Sequence, residues 1–587
     1  MPTNDLSIKI AGEAGQGVES GGAGFAKAVV RGGLYVFGVM DYMSRIRGGH
    51  NFYQVRVGEH PLHTFDDAVH LLLAFNKNAV DIHTPEVVRG GGILHDAGIK
   101  VDPSQLEERG IHDFEMPLIK IAEEQGGHKI MMNTAALGAT AGITSFDFDR
   151  IADIIETNFK RKGAETVQNN LKVARAAYDM ALEQFGGDFG WKIATIPGAP
   201  QRMIVNGNQA LAMGALAAGC RFISTYPMTP ASTITEWLAA HAKQFGVVQK
   251  QTEDETAAIL FAIGASHAGV RAMTASSGGG FCLMVESYGL AAMTETPLVI
   301  VEVQRGGPST GLPTRTEQPD LEFVLSASHG EFPRLVIAPG TVEQCFEAGY
   351  RAFNLAEKYQ TPVIILSDLF LSNQARTLEM NGIDFSQVMI DRGETLDYEA
   401  LDRLIQPYER HTLTESGISP RALPGHPGAV YITTGDEHNV EGLITEDGEV
   451  RNRQMEKRMR KDQRAAGEDM RMPLRYGPEQ AETTLVGFGS TTGSLIEAME
   501  RLNADGHPTN VLQFVDISPL DEDRLTDLIL GLNRMIVVEQ NYTGQLARHI
   551  RKLTGRKADE RINKYDGRPL SPGEVVSKVR QEVLVGV

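Results

Sequence analysis

Short apolar runs of strand length alternate with segments of helical periodicity along most of the chain. Seven runs in its first two thirds predict strands, at 6–10, 68–75, 92–95, 221–225, 270–275, 298–304 and 361–367. Apolar positions with helical spacing lie between them, at 209–219, 231–245 and 254–268. Strands that alternate with helices favour a mostly parallel sheet, in which functional residues collect at the carboxyl ends of the strands. The sequence therefore predicts an α/β protein.

The same pattern divides the chain into segments. A length of 587 residues corresponds to about four domains at roughly 150 residues each. The first α/β segment spans residues 1–190. A linker that contains glycine and proline follows it, and the second segment spans residues 200–375. Residues 376–475 are more polar and less periodic, so we interpret them as a connecting region. Residues 476–587 form a third α/β segment.

Composition excludes several classes of protein. Acidic residues outnumber basic ones by 75 to 56, a net charge of −19, which disfavours binding to a phosphate backbone. No apolar run reaches the roughly 20 residues that a membrane helix needs. The first ten residues, MPTNDLSIKI, lack the pattern of a signal peptide. We therefore expect a cytoplasmic globular protein that binds neither nucleic acid nor membrane.

Cysteine and histidine spacing argues against a metal site in this chain. The three cysteines, at 220, 282 and 345, are widely separated and cannot hold a four-thiolate iron–sulfur cluster. The histidines at 50, 60, 63 and 70 lack the spacing of zinc ligands. We predict no metal bound by this chain alone.

A glycine-rich loop follows the first predicted strand. Gly12, Gly15 and Gly17 are arranged as G-x-x-G-x-G, which is not the G-x-G-x-x-G order of dinucleotide-binding loops. A helix that starts after such a loop can still face an anion. A phosphate-binding loop and a tight packing turn both remain open.

Candidate chemistry in the second segment centres on three side chains. Glu255 is predicted to lie one turn into a helix that begins near Thr252, where it is either a favourable partner of the helix dipole or a general acid–base group. Thr229 lies between two prolines and is either a rigid turn residue or a substrate contact. Arg305 ends an apolar strand, where it suits either carboxylate capture or a surface ion pair. Asn208 is a plausible N-cap for the first helix of this segment.

Several motifs in this order resemble one enzyme family. Three segments are similar to the alpha module of the 2-oxoacid:ferredoxin oxidoreductases: YPMTP at 226–230, EDETAAILFAIGASHAGVRAMTASSGGGFCLMVE at 253–286 and VEVQRGGPSTGLPT at 301–314. GEAGQG at 12–17 and SRIRGGHNFYQVRV at 44–57 are similar to its gamma module, here fused ahead of the alpha module. The fusion and the TGLPT sequence most resemble the members that act on 2-oxoglutarate.

The resemblance implies a chemistry and a fold. Such enzymes use thiamine diphosphate to decarboxylate a 2-oxoacid, transfer electrons through iron–sulfur clusters to ferredoxin, and acylate coenzyme A. The implied architecture is a Rossmann-like gamma domain, a pyrimidine-binding domain and a transketolase C-terminal-like domain. The segment boundaries given above correspond to these domains, with the polar connecting region before the last.

The resemblance also assigns roles to residues. Glu255 would face N1′ of the thiamine aminopyrimidine and exchange a proton with it, and Thr229 and Arg305 would bind the 2-oxoacid carboxylate. Further cofactor contacts are expected at Tyr226, Pro227, Gly278 and Gly279, in the glycine turn 278–280 and the YPMTP turn. Arg45 and Arg47 are candidates for the distal carboxylate of the substrate or for coenzyme A. The basic run 451–461 offers Arg453, Lys457 and Arg458 for coenzyme A phosphates, unless it is a solvated helix face.

Only half of a thiamine site is visible in the chain. The family's diphosphate motif begins with GDG, and no GDG tripeptide occurs here. We therefore expect a beta subunit that carries the diphosphate and Mg²⁺ motif and a 4Fe–4S cluster, in an (αβ)₂ assembly, with ferredoxin docking on that partner. For the substrate, a broad-specificity 2-oxoacid enzyme stays open as a second hypothesis. For the function, a nucleotide-dependent dehydrogenase and a non-catalytic scaffold that binds an anionic metabolite stay open as well.

Overall fold

The computed structural model describes residues 3–43 and 48–585, which form two compact units. Unit 1 consists of Met1–Val205, Asn373–Ile383 and Ser571–Gly573, and the rest of the chain forms unit 2. No helix in the described ranges is both long enough and apolar enough to span a bilayer.

Unit 1 contains an eight-stranded mixed sheet flanked by helices. Its strands are β1 Leu6–Glu13, β2 Tyr35–Tyr42, β3 His50–Gly58, β4 Val69–Ala74, β5 Val87–Asp96, β6 His112–Met116 and β7 Arg202–Val205, followed much later by β14 Ala375–Glu379. Its helices are α1 Val18–Arg31, α2 Lys77–His83, α3 Pro103–Arg109, α4 Leu118–Gly126, α5 Met132–Ile143, α6 Phe148–Phe159 and α7 Ala164–Phe185.

The sheet of unit 1 combines a parallel and an antiparallel half. The strand order is β6-β5-β4-β1-β3-β2-β14-β7, with parallel pairing from β6 to β1 and antiparallel pairing from β1 to β7. The two last strands come from residues that the sequence pattern assigns to later segments. β14 pairs with the edge of β2, and β7 pairs in turn with β14, an arrangement that apolar periodicity alone does not reveal.

The first half of unit 2 is the predicted parallel α/β layer. Its strands are β8 Phe222–Thr225, β9 Val248–Gln251, β10 Ala272–Ser276, β11 Leu298–Gln304, β12 Leu335–Ile337 and β13 Pro362–Asp368. Its helices are α8 Gly207–Ala217, α9 Ser232–Phe245, α10 Glu255–His267, α11 Gly278–Met293, α12 Leu321–Ser326, α13 Val342–Tyr359 and α14 Leu369–Asn373. The strand order is β20-β12-β13-β11-β10-β8-β9, and only the contributed strand β20 runs antiparallel.

The second half of unit 2 holds the connecting region and a second sheet. The connecting region has the short strands β15 Thr395–Leu396 and β16 Arg421–Ala422, and the helices α15 Tyr398–Asp402 and α16 Gly448–Glu468. The remaining strands are β17 Leu474–Tyr476, β18 Thr483–Phe488, β19 Thr509–Phe514, β20 Asp516–Ser518, β21 Arg534–Glu539 and β22 Glu560–Asn563. The remaining helices are α17 Thr491–Ala504, α18 Glu522–Leu530, α19 Gln545–Thr554 and α20 Pro572–Val585.

One hydrophobic core joins the two sheets of unit 2. Ile300 and Leu366 from the first sheet pack in the same buried cluster as Phe488 and Phe514 from the second, whose order is β17-β19-β18-β21-β22. Asp368 at the end of β13 also accepts a hydrogen bond from the backbone N–H of Ser490 at 3.0 Å. The α/β class predicted from the sequence is confirmed.

The start of α8 differs from the prediction. Asn206, and not Asn208, is the N-cap: its side chain accepts from the Gln209 N–H at 2.8 Å, and Gln209 completes a capping box. Asn208 lies inside the helix and is fully buried. Both asparagines precede the same apolar run, so composition did not distinguish them.

Candidate active site

The carboxyl group of Glu255 is buried, and one of its oxygens has no hydrogen-bond partner among the described residues. Asp254 caps α10 by accepting from the Ala257 N–H at 2.7 Å, which makes Glu255 the first residue of the helix and not a residue one turn into it. Glu255 is only 4% exposed, and its Oε1 has no donor among the described residues. Burial raises the pKa of this carboxyl group, and the nearby Asp254 carboxylate raises it further. A residue that only complemented the helix dipole would remain solvated.

Glycines at the start of α11 allow backbone to approach this carboxyl group. Residues 278–280 open the helix and do not form the predicted turn. A Cβ on Gly280 would lie 2.7 Å from Glu255 Oε1 and 2.0 Å from Ser276 Oγ, so no larger residue fits there. Gly278 is similarly close to Asp320, whereas Gly279 is exposed and meets only the Ser309 carbonyl, at 3.7 Å. The sequence motifs placed Gly280 in the glycine turn near the cofactor but predicted no contact between it and Glu255, which becomes visible only in three dimensions.

The YPMTP turn lies at the carboxyl end of β8 and next to Ser276. Met228 Sδ accepts a hydrogen bond from Ser276 Oγ at 3.7 Å, which places the turn beside the Glu255 carboxyl group. Tyr226 is 40% exposed and Pro227 is also exposed. A ligand can therefore reach the exposed side chains of the turn.

Arg305 and Thr229 lie in direct contact. Arg305 Nη1 donates to the Thr229 carbonyl oxygen at 2.6 Å, so the end of β11 is tied to the YPMTP turn. Burial lowers the pKa of the guanidinium, although the acidic Asp320 and Glu302 oppose that change. Arg305 is half-buried and takes part in no ion pair of 4 Å or less with a described carboxylate. A half-buried guanidinium without an ion pair to a described carboxylate can bind an anionic ligand.

Asn208 supports the turn from the buried side. Its Nδ2 donates to the Pro230 carbonyl at 3.0 Å and to Thr233 Oγ1 at 2.7 Å. Sequence reasoning gave Asn208 only a capping role, because its contacts are with residues more than 20 positions away.

Two predicted basic residues lie outside the described ranges. Arg45 and Arg47 belong to residues 44–47, of which nothing structural is stated. The glycine loop in the same unit joins β1 to α1, and Gly15 and Gly17 have φ values of 91° and 80°, which favour glycine. The loop borders a cavity of 670 Å³ that the acidic Glu13 and Glu19 also line. The phosphate-binding loop and the packing turn both stay predictions.

The basic run proves to be a partly buried helix, α16. Lys457 Nζ lies 2.7 Å from Glu295 Oε1 and Arg458 Nη2 lies 2.8 Å from Glu437 Oε2, and both basic side chains are almost fully buried. These two residues neutralise carboxylates of their own chain, and their contact with coenzyme A stays a prediction. Arg453 is 65% exposed, and its contact with coenzyme A stays a prediction.

Glu295 gathers a buried cluster that sequence reasoning missed. Its carboxylate binds Lys457 and Lys461, and His411 Nδ1 lies 2.9 Å from Oε1. Glu295, His411 and His438 have the atom types and spacing of a metal centre. The two ammonium groups already supply the compensating positive charge and would repel a cation, so the cluster is an ion-pair network.

The comparisons define the class of this protein. Three family descriptions match in order: "Pyruvate ferredoxin/flavodoxin oxidoreductase" at 7–180, "Pyruvate flavodoxin/ferredoxin oxidoreductase, thiamine diP-bdg" at 213–457, and "Transketolase, C-terminal domain" at 475–573. With the relatives described next, they show that the chain belongs to the 2-oxoacid:ferredoxin oxidoreductases, as a thiamine-dependent alpha subunit. The resemblance drawn from the sequence motifs is confirmed.

Individual relatives cover nearly the whole chain. The alpha subunit of 2-oxoacid:ferredoxin oxidoreductase 2 from Aeropyrum pernix is 33% identical over 99% of this chain and 98% of its own. The 2-oxoglutarate oxidoreductase subunit KorA of Mycobacterium tuberculosis is 29% identical over 93% of this chain and 87% of its own. A solved 2-oxoglutarate:ferredoxin oxidoreductase from Magnetococcus marinus, with 2-oxoglutarate, coenzyme A and succinyl-CoA bound, is 33% identical, with a TM-score of 0.92 over 99% of this chain and 100% of that chain.

Proposed function

We propose that this chain is the alpha subunit of an enzyme that interconverts 2-oxoglutarate and coenzyme A with succinyl-CoA, CO₂ and reduced ferredoxin. The observation that carries the proposal is the buried Glu255 carboxyl group, whose Oε1 has no partner among the described residues, beside the Arg305–Thr229 contact. The substrate is supported by the 2-oxoglutarate bound to the Magnetococcus protein and by the name of the Mycobacterium relative. A broad-specificity 2-oxoacid enzyme is the second candidate, because the Aeropyrum relative carries only the wider name.

Glu255 is the residue that would hold the pyrimidine ring of thiamine diphosphate. When bound, this cofactor supplies the carbon nucleophile that attacks and decarboxylates a 2-oxoacid. A carboxyl group of raised pKa, with a free Oε1, suits a shared proton with a ring nitrogen. The glycines at the start of α11 would let the ring lie close to the backbone, and Tyr226, Pro227, Gly278 and Gly279 would complete this side of the cofactor site.

Arg305 and Thr229 would bind the carboxylate that is next to the ketone. The guanidinium supplies charge and a planar pair of donors, while its bond to the Thr229 carbonyl fixes its orientation. 2-Oxoglutarate has a second carboxylate that needs a further cation, for which Arg45 and Arg47 are the candidates. Either arginine can instead contact coenzyme A, and the candidates of the basic run are Arg453, which is the most exposed, Lys457 and Arg458.

A second subunit would complete the site over an exposed apolar face. Leu260 and Phe261 of α10 are 43% and 48% exposed, and Leu283 of α11 is 56% exposed. Thr256 Oγ1 donates to the Leu283 carbonyl at 3.1 Å, which joins the two helices where Glu255 lies. Large apolar side chains at one site favour association with another protein. Such a partner, a beta subunit, would supply the diphosphate and Mg²⁺ motif and the 4Fe–4S cluster that this sequence lacks, in an (αβ)₂ complex on which ferredoxin docks.

A substrate panel tests the proposed function. The native complex is assayed with coenzyme A and a viologen acceptor, and 2-oxoglutarate, pyruvate and other 2-oxoacids are compared by kcat/KM. A preference for 2-oxoglutarate supports the proposal, and equal values for several 2-oxoacids favour the broad-specificity enzyme. The chain purified alone, with thiamine diphosphate and Mg²⁺, should show no turnover. Turnover at the rate of the native complex would contradict the need for a partner.

A further inference from the structure

Two acidic side chains, Glu302 and Asp320, lie near Arg305 and have no role in the function proposed above. Glu302 is the third residue before Arg305, on β11, and is fully buried. Asp320 lies just before α12, and its backbone N–H donates to Gln304 Oε1 at 3.1 Å, which fixes it beside the same end of β11. A Cβ on Gly278 would lie 2.4 Å from Asp320 Oδ2, so the carboxyl group packs against the first turn of α11.

A proton between these two groups accounts for the surroundings of Glu302. Both carboxyl oxygens of Glu302 lack an N–H or hydroxyl donor among the described residues, and the group in hydrogen-bond contact with Glu302 is the carboxyl group of Asp320. Two carboxylates bond to each other only when one of them is protonated. Glu302 is the more deeply buried of the pair, so ionisation costs more there.

From this geometry we propose that Glu302 stays protonated and donates to an ionised Asp320, and that this singly charged pair positions Arg305 for the substrate carboxylate. Glu302 and Asp320 are positioning residues: neither needs to touch the substrate. The carbonyl of Thr229 then fixes the Arg305 guanidinium by a hydrogen bond, and the negative charge of Asp320 attracts it from beyond ion-pair distance. If both acids were ionised, the second charge would repel the incoming 2-oxoacid.

The direction of each pKa agrees with that assignment. Burial and the neighbouring Asp320 raise the pKa of Glu302 well above its usual range. Burial also raises the pKa of Asp320, to about 6, against the opposing effects of the bond from Glu302 and the charge of Arg305. The other titratable groups that face the pair are Cys282 on α11, Asp368 at the end of β13, and Glu317. At neutral pH the pair therefore carries one negative charge.

The proposal rests on the binding of a 2-oxoacid by Arg305, and its kinetic test uses the native complex. Asp320→Asn should raise KM for the 2-oxoacid about tenfold, the loss expected for one hydrogen bond or contact to a charged group, with kcat within about threefold. In the unaltered enzyme, KM should rise as the pH falls through about 6, because protonation of Asp320 removes the same charge. Asp320→Asn should abolish that pH dependence. An unchanged KM, or an unchanged pH profile, overturns the proposal.

Variants of Glu302 separate proton donation from simple packing. Glu302→Leu removes the donor and should raise KM about tenfold, whereas Glu302→Gln restores an N–H donor to Asp320 and should rescue KM to within about threefold. Glu322→Gln, on the exposed face of α12, is the matched control. Equal KM values for Glu302→Leu and Glu302→Gln would overturn the assignment.

Infrared spectroscopy tests the proton without substrate. The difference spectrum between the unaltered complex and Glu302→Gln at about pH 7.5 should contain the carbonyl stretch of a protonated carboxylic acid, and Asp320→Asn should shift that band. Absence of the band overturns the proposal whatever the kinetics show. If the band is present but Arg305→Ala leaves kcat/KM unchanged for every 2-oxoacid, the proposed function of Arg305 has failed and the carboxyl pair has not.

Discussion

Glu255 and Glu295 lie in the same unit and are both almost completely buried, yet their surroundings are opposite. Glu255 has an oxygen with no partner among the described residues and glycine backbone against it, and burial raises its pKa. Burial would also raise the pKa of Glu295, but Lys457, Lys461 and His411 outweigh it and hold that pKa well below the usual range. The two carboxyl groups therefore differ in their hydrogen-bond and ion-pair partners. Glu255 can exchange a proton, whereas Glu295 stabilises the fold.

The Glu295 cluster explains how the polar connecting region is attached to the rest of unit 2. Glu295 follows α11 with a φ of 51°, a conformation that costs a residue other than glycine roughly 1–2 kcal/mol. Its carboxylate binds two lysines of α16, and its backbone carbonyl accepts from Arg410 Nη2 at 2.7 Å. The ion pairs hold the turn in this conformation and fasten α16 to it. An isolated charged residue would not be buried there, since the desolvation penalty of a lone charge is several kcal/mol.

The largest effect is expected at Glu255. Glu255→Gln keeps the size of the side chain but removes the exchangeable carboxyl proton, and general acid–base groups typically contribute roughly 10² to 10⁴ in rate. Acyl-CoA formation by the native complex should fall by that range, with an unchanged unfolding midpoint. Glu253→Gln, at an exposed position two residues away, is the control and should have normal activity. Activity of Glu255→Gln within about threefold of the unaltered enzyme would remove Glu255 from the chemistry.

The opposite response is expected at Glu295. Glu295→Ala leaves two buried ammonium groups without their carboxylate, and breaking a buried ion pair in this way costs about 3–5 kcal/mol. Denaturant unfolding of the complex should show this loss. Since the folded-state pKa is below the unfolded value, the loss should be full at pH 7 and should diminish only as the pH falls below about 4.5.

A matched substitution checks that the loss comes from burial. Glu449→Ala removes an exposed acid from the first turn of α16, where its contact with Arg453 at 3.7 Å is of the surface kind. Such pairs contribute about 0.2–1 kcal/mol. Similar losses for the two variants would show that the Glu295 cluster has no special role.

Arg305 should give a smaller effect that is specific to substrate. Arg305→Ala removes a half-buried cation that we expect to contact the 2-oxoacid carboxylate. Loss of one partner of such a buried charge pair costs roughly 2–5 kcal/mol of binding free energy. The value of kcat/KM should fall by more than about tenfold, with the circular dichroism spectrum unchanged. Arg548→Ala, which removes an exposed arginine paired with Glu322, is the control. An unchanged kcat/KM for every 2-oxoacid would exclude Arg305 from the site.

The sequence predicted the parts of the site that depend on local order and missed those that depend on distant contacts. Strand β11 and the residue that follows it, Arg305, were placed correctly, because a continuous apolar run ends there. The role of Gly280 against Glu255 and the burial of Lys457 were not predictable from spacing. Both depend on segments that are separate in the chain and meet only after folding. A basic run has the same composition whether it is solvated or paired with carboxylates.

The smallest effect is expected at Asp254, which affects Glu255 in two separable ways. Its side chain caps α10, and its negative charge adds to the raised pKa of Glu255. Asp254→Ala removes the cap and should cost about 0.5–2 kcal/mol of stability.

Asp254→Asn keeps a capping oxygen but removes the charge, so stability should change little. The pKa of Glu255 should then fall, because a neighbouring like charge no longer disfavours ionisation. In the pH profile of kcat/KM, the limb that depends on Glu255 should therefore move to lower pH in Asp254→Asn. A profile that does not move would show that burial alone sets the pKa of Glu255.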